Sequence, residues 1–132
     1  MYVEFQAYTT QNGSWDMNPE TQARIAELLP HIDEFITASP MSGEDDGGEY
    51  MCYCYGEDDF YAEDGTTELE GDELDAAENE NHADVLSAYI ALYPLVGKEI
   101  IDLRINDGSQ FGRRPLLETA QSELDGISIL LS

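Results

Sequence analysis

Hydrophobic and polar residues alternate at the start of the chain. Val3, Phe5 and Ala7 share one face of an extended segment, and polar residues occupy the positions between them. Because successive side chains of a strand point to opposite faces, this pattern predicts a half-buried strand over residues 2–8. The pair Asn12-Gly13 is typical of a turn and predicts that the chain reverses there.

A helical pattern comes next. Asn18 suits an N-cap, Pro19 suits the first helical position, and Glu20 places an acid in the first turn. Pro30 interrupts the run that follows, so we expect a kink or a break in the helix there. Apolar residues recur three or four positions apart and predict one buried stripe, formed by Ile25, Leu28, Leu29, Ile32, Phe35 and Ile36.

The middle of the chain is rich in turn residues and tyrosine. Residues 39–48 contain one proline, two serines and three glycines and predict a loop. The aromatic run over residues 50–55 predicts a strand, and residues 60–62 could return beside it as the second arm of a hairpin. Residues 63–71 are turn formers with little to bury.

A second helix is predicted to begin between residues 72 and 82. It should end at Pro94, because proline disrupts the backbone bonding of a helix. The apolar residues of its second half have the spacing of a buried face, and they are Val85, Leu86, Tyr89, Ile90 and Tyr93.

The last part of the chain predicts a strand, a short helix and a final strand. Residues 99–105 alternate, with Ile101, Leu103 and Ile105 inward, and residues 106–108 close the strand. Residues 116–124 could form a helix after Pro115, and the apolar run over residues 127–131 predicts a buried strand.

Taken in order, these elements predict one α+β domain over residues 1–132. Its sheet should be mainly antiparallel and covered by two or three helices. Within it, the segment around residues 43–80 is acidic and rich in predicted loops.

The charge of the chain shows that this folded domain is also a polyanion. There are 29 Asp and Glu against 5 Lys and Arg, which gives a formal net charge of -24. No Lys or Arg occurs in residues 25–97, whereas residues 44–80 hold 16 carboxylates. Since the chain is also 42% hydrophobic, we expect it to fold and to carry the charge on its surface. Nucleic acid and anionic membranes would be repelled, and no apolar run reaches the roughly 18 residues of a spanning helix.

No arrangement of residues indicates an enzyme, a cofactor or a metal site. The only histidines are His31 and His82, and the sequence pairs neither with a nucleophile. Cys52 and Cys54 cannot by themselves complete a tetrahedral metal shell, and neither a calcium-binding loop nor a glycine-rich phosphate loop occurs. Carboxylate pairs of the glycosidase type cannot be picked out among so many acids.

Two cysteines this close do not form a disulfide framework, and the chain starts without a secretory signal, so we expect a reducing cytoplasm.

The acidic residues themselves are the predicted binding site. Alternate residues of a strand lie roughly 6.6 Å apart and residues four apart on a helix about 6 Å apart, so carboxylates on a folded frame can resemble a ladder of phosphates. Neighbouring tyrosines suit a protein interface. The predicted partner-binding residues are Glu44, Asp45, Asp46, Glu49, Glu57, Asp58, Asp59, Glu63, Asp64, Glu68, Glu70, Asp72, Glu73 and Asp75, with Tyr53, Tyr55 and Tyr61. The expected partner is a basic nucleic-acid-binding protein, such as a CRISPR effector, a restriction enzyme or a nuclease.

In size, acidity and composition the chain resembles the nucleic-acid-mimicking inhibitors of phages and mobile elements, which include anti-restriction and anti-CRISPR proteins. A further likeness is carried by Tyr2-Val3, Ala7-Tyr8, Asn12-Gly13, Trp15-Asp16, Glu49-Tyr50 and Gly56-Glu57-Asp58-Asp59-Phe60. Through these residues roughly the first sixty positions are similar to the start of ArdA-type antirestriction proteins, although the chain is shorter and lacks their usual spacer between the turn glycine and the tryptophan. The resemblance implies a non-enzymatic inhibitor that works in the cytoplasm of a host cell.

Two other interpretations of the charge stay open at this point. An immunity protein that neutralises a basic nuclease or deaminase toxin would have nearly the same sequence pattern. A domain adapted to a salt-saturated cytoplasm would also be acidic and poor in lysine, and Lys98 is the only lysine. The sequence leaves the oligomeric state open, with a dimer as one option.

Measuring how far the protein is folded at several salt concentrations distinguishes adaptation to a salt-saturated cytoplasm from the other two interpretations. If the acids are an adaptation to brine, the domain should be largely unfolded in dilute buffer and fold only when salt screens its self-repulsion. We expect instead a folded domain at modest ionic strength, measured by circular dichroism. A melted spectrum at physiological salt would contradict the inhibitor hypothesis.

Overall fold

A computed structural model of the protein describes residues 1–9, 17–29, 42–45, 48–56, 59–107 and 112–131. Within these ranges it confirms the predicted class, an α+β fold with an antiparallel sheet and three α-helices. In chain order the elements are β1 (Tyr2–Tyr8), α1 (Pro19–Leu28), β2 (Ser42–Asp45), β3 (Gly48–Gly56), α2 (Gly71–Leu92), a short 3-10 turn (Tyr93–Leu95), β4 (Ile100–Asn106) and α3 (Leu117–Leu131).

The sheet has the strand order β2-β3-β1-β4, and every pair of neighbours is antiparallel. β1 therefore lies inside the sheet, although it is first in sequence. Its central residue Phe5 pairs with Tyr53 on β3 and with Leu103 on β4, and all three side chains are buried. The predicted alternation of β1 is confirmed, because Val3, Phe5 and Ala7 are all buried.

The core forms where the second half of α2 packs on this face of the sheet. Val85, Leu86 and Leu92 are fully buried there, and Tyr89 is almost so. α3 packs on α2 in turn, through the buried side chain of Ala120 and, nearer its end, Ile127. The predicted burial of α2 is thus confirmed, with Ile90 and Tyr93 packed only partly against the core.

α1 begins as the sequence predicts and ends earlier. The Asn18 side chain accepts a hydrogen bond from the Glu20 amide at 3.1 Å, and Pro19 is the first helical residue. The helix ends at Leu28, because a residue before a proline is disfavoured in the helical conformation and Pro30 is close by. Of the predicted stripe, Ile25 is buried, but Leu28 is 41% exposed, so the prediction is wrong there. The later members Ile32, Phe35 and Ile36 lie outside the described residues.

β3 forms a hairpin with the strand that precedes it in sequence, whereas the sequence predicted a hairpin with the segment that follows it. Residues 42–45, predicted as part of a loop, form β2 and pair with β3. Residues 60–62 are not a second arm, because β1 and β2 already occupy both edges of β3. Gly56 ends β3 with φ at 141°, and a Cβ there would clash with the Met1 carbonyl oxygen, so the chain leaves the sheet at this glycine.

The predicted C-terminal strand is wrong. Residues 117–131 form the single helix α3, which passes through Gly126 without a break. Ala120, Leu124 and Ile127 are spaced three or four residues apart, so one helical face reaches α2. Sequence periodicity cannot distinguish a short buried strand from the end of a helix when all residues are apolar.

A bulge changes which residues of β4 point inward. Gln6 pairs with Asp102 and Ala7 pairs with Ile100, so Ile101 is an extra residue between them. Ile100 is consequently fully buried, whereas Ile101, predicted inward, is only partly buried. The inward positions of Leu103 and Ile105 are confirmed.

The Tyr89 hydroxyl gives a direct test of how α3 is held. It donates a hydrogen bond of 2.7 Å to the Pro115 carbonyl oxygen, just before α3. We expect Tyr89→Phe to lower the free energy of unfolding by about 1 kcal/mol, because the ring still packs but the carbonyl loses its donor. Urea denaturation measures this loss. Tyr61→Phe, at an exposed tyrosine, is the matched control and should change the stability little.

Candidate functional site

Residues 59–70, which we call the acidic loop, are held in shape by their own backbone. The Leu69 amide donates to the Phe60 carbonyl at 3.0 Å, and the Ala62 amide donates to the Thr67 carbonyl at 2.8 Å. The Gly65 amide closes the tip by donating to the Ala62 carbonyl at 2.9 Å. The five carboxylates of the loop are all exposed, and they belong to Asp59, Glu63, Asp64, Glu68 and Glu70.

Asp64 organises the tip of the acidic loop. One of its carboxylate oxygens accepts hydrogen bonds of 2.9 Å from the amides of Thr66 and Thr67, and the other accepts the Thr67 hydroxyl at 2.6 Å. The Thr67 hydroxyl, followed by the two amides, lowers the pKa of Asp64 to about 2. The side chain is therefore ionised throughout the physiological range, and the bonds that shape the loop depend on this charge.

Directly after the loop, the first half of α2 carries a second group of acids. In residues 71–84, which we call the acidic half-helix, none of the side chains is fully buried, and full burial begins at Val85. The carboxylates span about 18 Å of helix axis, or about one per 3.5 Å. All six are exposed, and they are Asp72, Glu73, Asp75, Glu78, Glu80 and Asp84.

None of the Lys and Arg residues belongs to the acidic loop or the acidic half-helix, although Arg113 lies beside His82 of the half-helix. All five are among the described residues, and Lys98 occupies the exposed turn before β4. The arginines pair with acids that belong to neither the acidic loop nor the acidic half-helix: Arg24 with Glu27 at 3.1 Å, Arg104 and Arg114 with Asp102 at 2.6 and 2.9 Å, and Arg113 with Asp107 and Glu123 at 2.8 and 3.0 Å.

Arg113 joins α3 to the end of β4 beside His82 of α2. Its guanidinium donates to both carboxylate oxygens of Glu123 at 3.0 Å, and its Nε lies 2.8 Å from Asp107 as an ion pair. Burial lowers the pKa of His82 below its ordinary value, with Glu123 acting in the opposite direction. His82 of α2 therefore lies near Glu123, in the middle of α3.

The three tyrosines predicted to contact a partner lie in different environments. Tyr53 is only 5% exposed and stacks on Phe5 with a centroid distance of 5.4 Å, so it belongs to the core and is removed from the predicted surface. It faces inward because it shares the inward register of Phe5. Tyr55 is partly buried against the core, and Tyr61 is exposed in the acidic loop.

The structure brings together the later members of the predicted acidic set. Those from Asp59 to Asp75 lie on the acidic loop and the start of the acidic half-helix. Glu44 and Asp45 are in β2 and Glu49 is in β3, but their side chains are outside what the structure describes, as are Asp46, Glu57 and Asp58 altogether. The segment predicted as loop-rich is thus, where described, two strands, one loop and half a helix.

Sequence reasoning missed Glu78, Glu80 and Asp84 as members of the surface. The signal was present, because Glu80 and Asp84 follow Glu73 by seven and eleven residues, which is the spacing of one helical face. Where residues are described, no cluster of three or more His, Cys, Asp or Glu side chains could hold a metal ion, and no helix has the length and apolar character needed to cross a membrane.

The bonds of Asp64 predict an unusual titration. We expect the Asp64 carboxyl to titrate near pH 2 by NMR, and Thr67→Val to raise its pKa toward 3.8, because the hydroxyl is the largest cause of the shift. Thr66→Val is the matched control, since its side chain contributes least. The stabilisation of the loop by this charge is complete above the ordinary pKa and is lost as the pH falls toward 2. An equal rise in both variants would contradict this assignment.

Comparison of the chain with known proteins finds no matching family model, no matching curated protein and no matching solved structure.

Proposed function

We propose that this protein is a non-enzymatic inhibitor that imitates the charge of nucleic acid and covers the nucleic-acid-binding surface of a basic protein. The observation that carries the proposal is the acidic half-helix. Its six exposed carboxylates point to several sides of the helix and average about one per 3.5 Å of axis, and one strand of DNA presents a charge about every 3.4 Å. A groove lined by Lys and Arg would therefore meet a similar density of negative charge.

The rigidity of the acidic surface supports the same proposal. The acidic half-helix is continuous with the buried second half of α2, and the acidic loop is closed by its own hydrogen bonds. Because the backbone that carries these carboxylates is already ordered, binding costs less conformational entropy than it would for an unstructured acidic chain. Preorganised charge is what a competitor of a stiff polyanion needs.

The separation of charges supports a basic partner. The arginines are engaged by acids elsewhere, while the acidic loop and acidic half-helix contain no basic residue. Such a one-sided field attracts positively charged surfaces and speeds their association. The partner we propose is a host defence protein of the CRISPR or restriction type, met in the cytoplasm, with no direct contact to nucleic acid or membrane.

Competition with nucleic acid tests the proposal. The immobilised protein should capture basic nucleic-acid-binding proteins from a low-salt lysate, and excess duplex DNA or RNA should release them, because both ligands need the same channel. Raising the ionic strength should slow association more than it speeds dissociation, since long-range steering is screened over about 8 Å at physiological salt. Surface plasmon resonance with the captured partner measures both.

Two matched triple variants separate the surface from net charge. Reversal of Asp75, Glu78 and Glu80 to Lys should weaken the captured partner's binding by about 100-fold or more, because ion pairs become repulsions. Reversal of Glu20, Glu27 and Glu118 to Lys changes net charge equally but lies outside the acidic surface, and should matter much less. Equal losses would show that only net charge is recognised. A ternary complex with nucleic acid at undiminished affinity would refute mimicry and favour an immunity protein acting away from the channel.

A further inference from the structure

The last turn of α3 exposes aliphatic side chains to an unusual extent. Ile129 is 73% exposed, Leu130 is 70% exposed and Leu131 is 42% exposed. Only Ile127 and Ala120 of this helix are buried, so the end of α3 contributes little to the core. Consecutive residues of a helix point about 100° apart, so these side chains surround the last turn instead of sharing one face. Together they still offer a partner more apolar area than a single surface leucine does.

This apolar turn lies next to the acidic half-helix. The carbonyl of Pro115, two residues before α3, accepts a hydrogen bond from Tyr89 in the second half of α2. Glu123, in the middle of α3, lies close enough to His82, seven residues earlier in α2, to act on its pKa. The two helices therefore run antiparallel, and the last turn of α3 lies beside the first turns of α2. Leu116, which is 68% exposed, lies at the opposite end of α3, about 20 Å away along the helix.

The surrounding charge decides what can cover the apolar turn. A second copy of the chain would bring two acidic half-helices together, and their like charges would repel. A partner with Lys and Arg around an apolar patch would neutralise the acids and cover Leu130 in the same contact. Protein interfaces have this composition, with an apolar centre and a polar rim.

We propose that the apolar turn (Ile129, Leu130 and Leu131) is the anchor of the same interface, and that the partner is a protein surface with an apolar patch bordered by Lys and Arg. This inference rests on the proposed function and deepens it. The acidic loop and acidic half-helix supply steering and charge complementarity, and Leu130 supplies buried apolar area, which salt does not screen. A polycation recognised by charge alone would leave this side chain in water.

Two synthetic peptides serve as probes. One is a helical Leu/Lys peptide with its leucines along one face, and the other has every leucine replaced by serine, so both carry the same positive charge. We expect the Leu/Lys peptide to bind the full chain about tenfold more tightly, as burial of one leucine side chain predicts. Leu130→Ser should remove most of this advantage, and Leu116→Ser, the same change at equal exposure, should leave it intact. Isothermal calorimetry measures the affinities, and circular dichroism checks that both variants fold.

The outcomes distinguish this inference from the proposed function. If both peptides bind with equal affinity, or if Leu130→Ser and Leu116→Ser have equal effects, the apolar anchor is wrong while the acidic surface stands. If neither peptide binds the wild-type protein at low salt, the proposed function fails and this inference fails with it. Selective loss in Leu130→Ser supports the inference.

Discussion

The contact between the second half of α2 and the inward face of β1 is the interaction on which the structure depends. Val85, Leu86 and Leu92 cover the strand that carries Val3 and Phe5, and all five side chains are buried. α3 is attached to α2, and the acidic half-helix extends from it, so both lose their support if this contact opens. Hydrophobic burial at one place therefore holds in position a surface that has no core of its own.

The acidic half-helix would be a poor helix in isolation. Its carboxylates repel one another, and a helix this short is marginal in water without tertiary packing. Asp72 and Glu73 lie in the first turn, where the helix dipole favours negative charge, but Glu78 and Glu80 have no such benefit. Continuity with the buried half of α2 supplies the missing stability, since extending an existing helix costs less than starting one.

Stability and binding make opposite demands on this surface. Neutralising the acids would relieve self-repulsion, yet it would remove the row of charge that a basic partner could recognise. The chain keeps its arginines near β4 and the start of α3, where Asp102 and Glu123 pair with them. Repulsion is thus tolerated in one region and relieved in another, which is the distribution of charge that the proposed function requires.

The sequence by itself determined the elements whose periodicity or capping is local. The alternation of β1, the cap at Asn18, the apolar face of α2 and the concentration of acids could all be predicted, because each depends on neighbours within one element. Only the tertiary structure decided what depends on distant partners. β1 and β2 occupy both edges of β3, so residues 60–62 cannot pair with it. The bulge in β4 turns Ile100 inward instead of Ile101. The apolar end of the chain packs on α2 as a helix and does not join the sheet as a strand. The site follows the same division: charge density is visible in the sequence, but the place of the acidic half-helix beside α3 depends on how two helices pack.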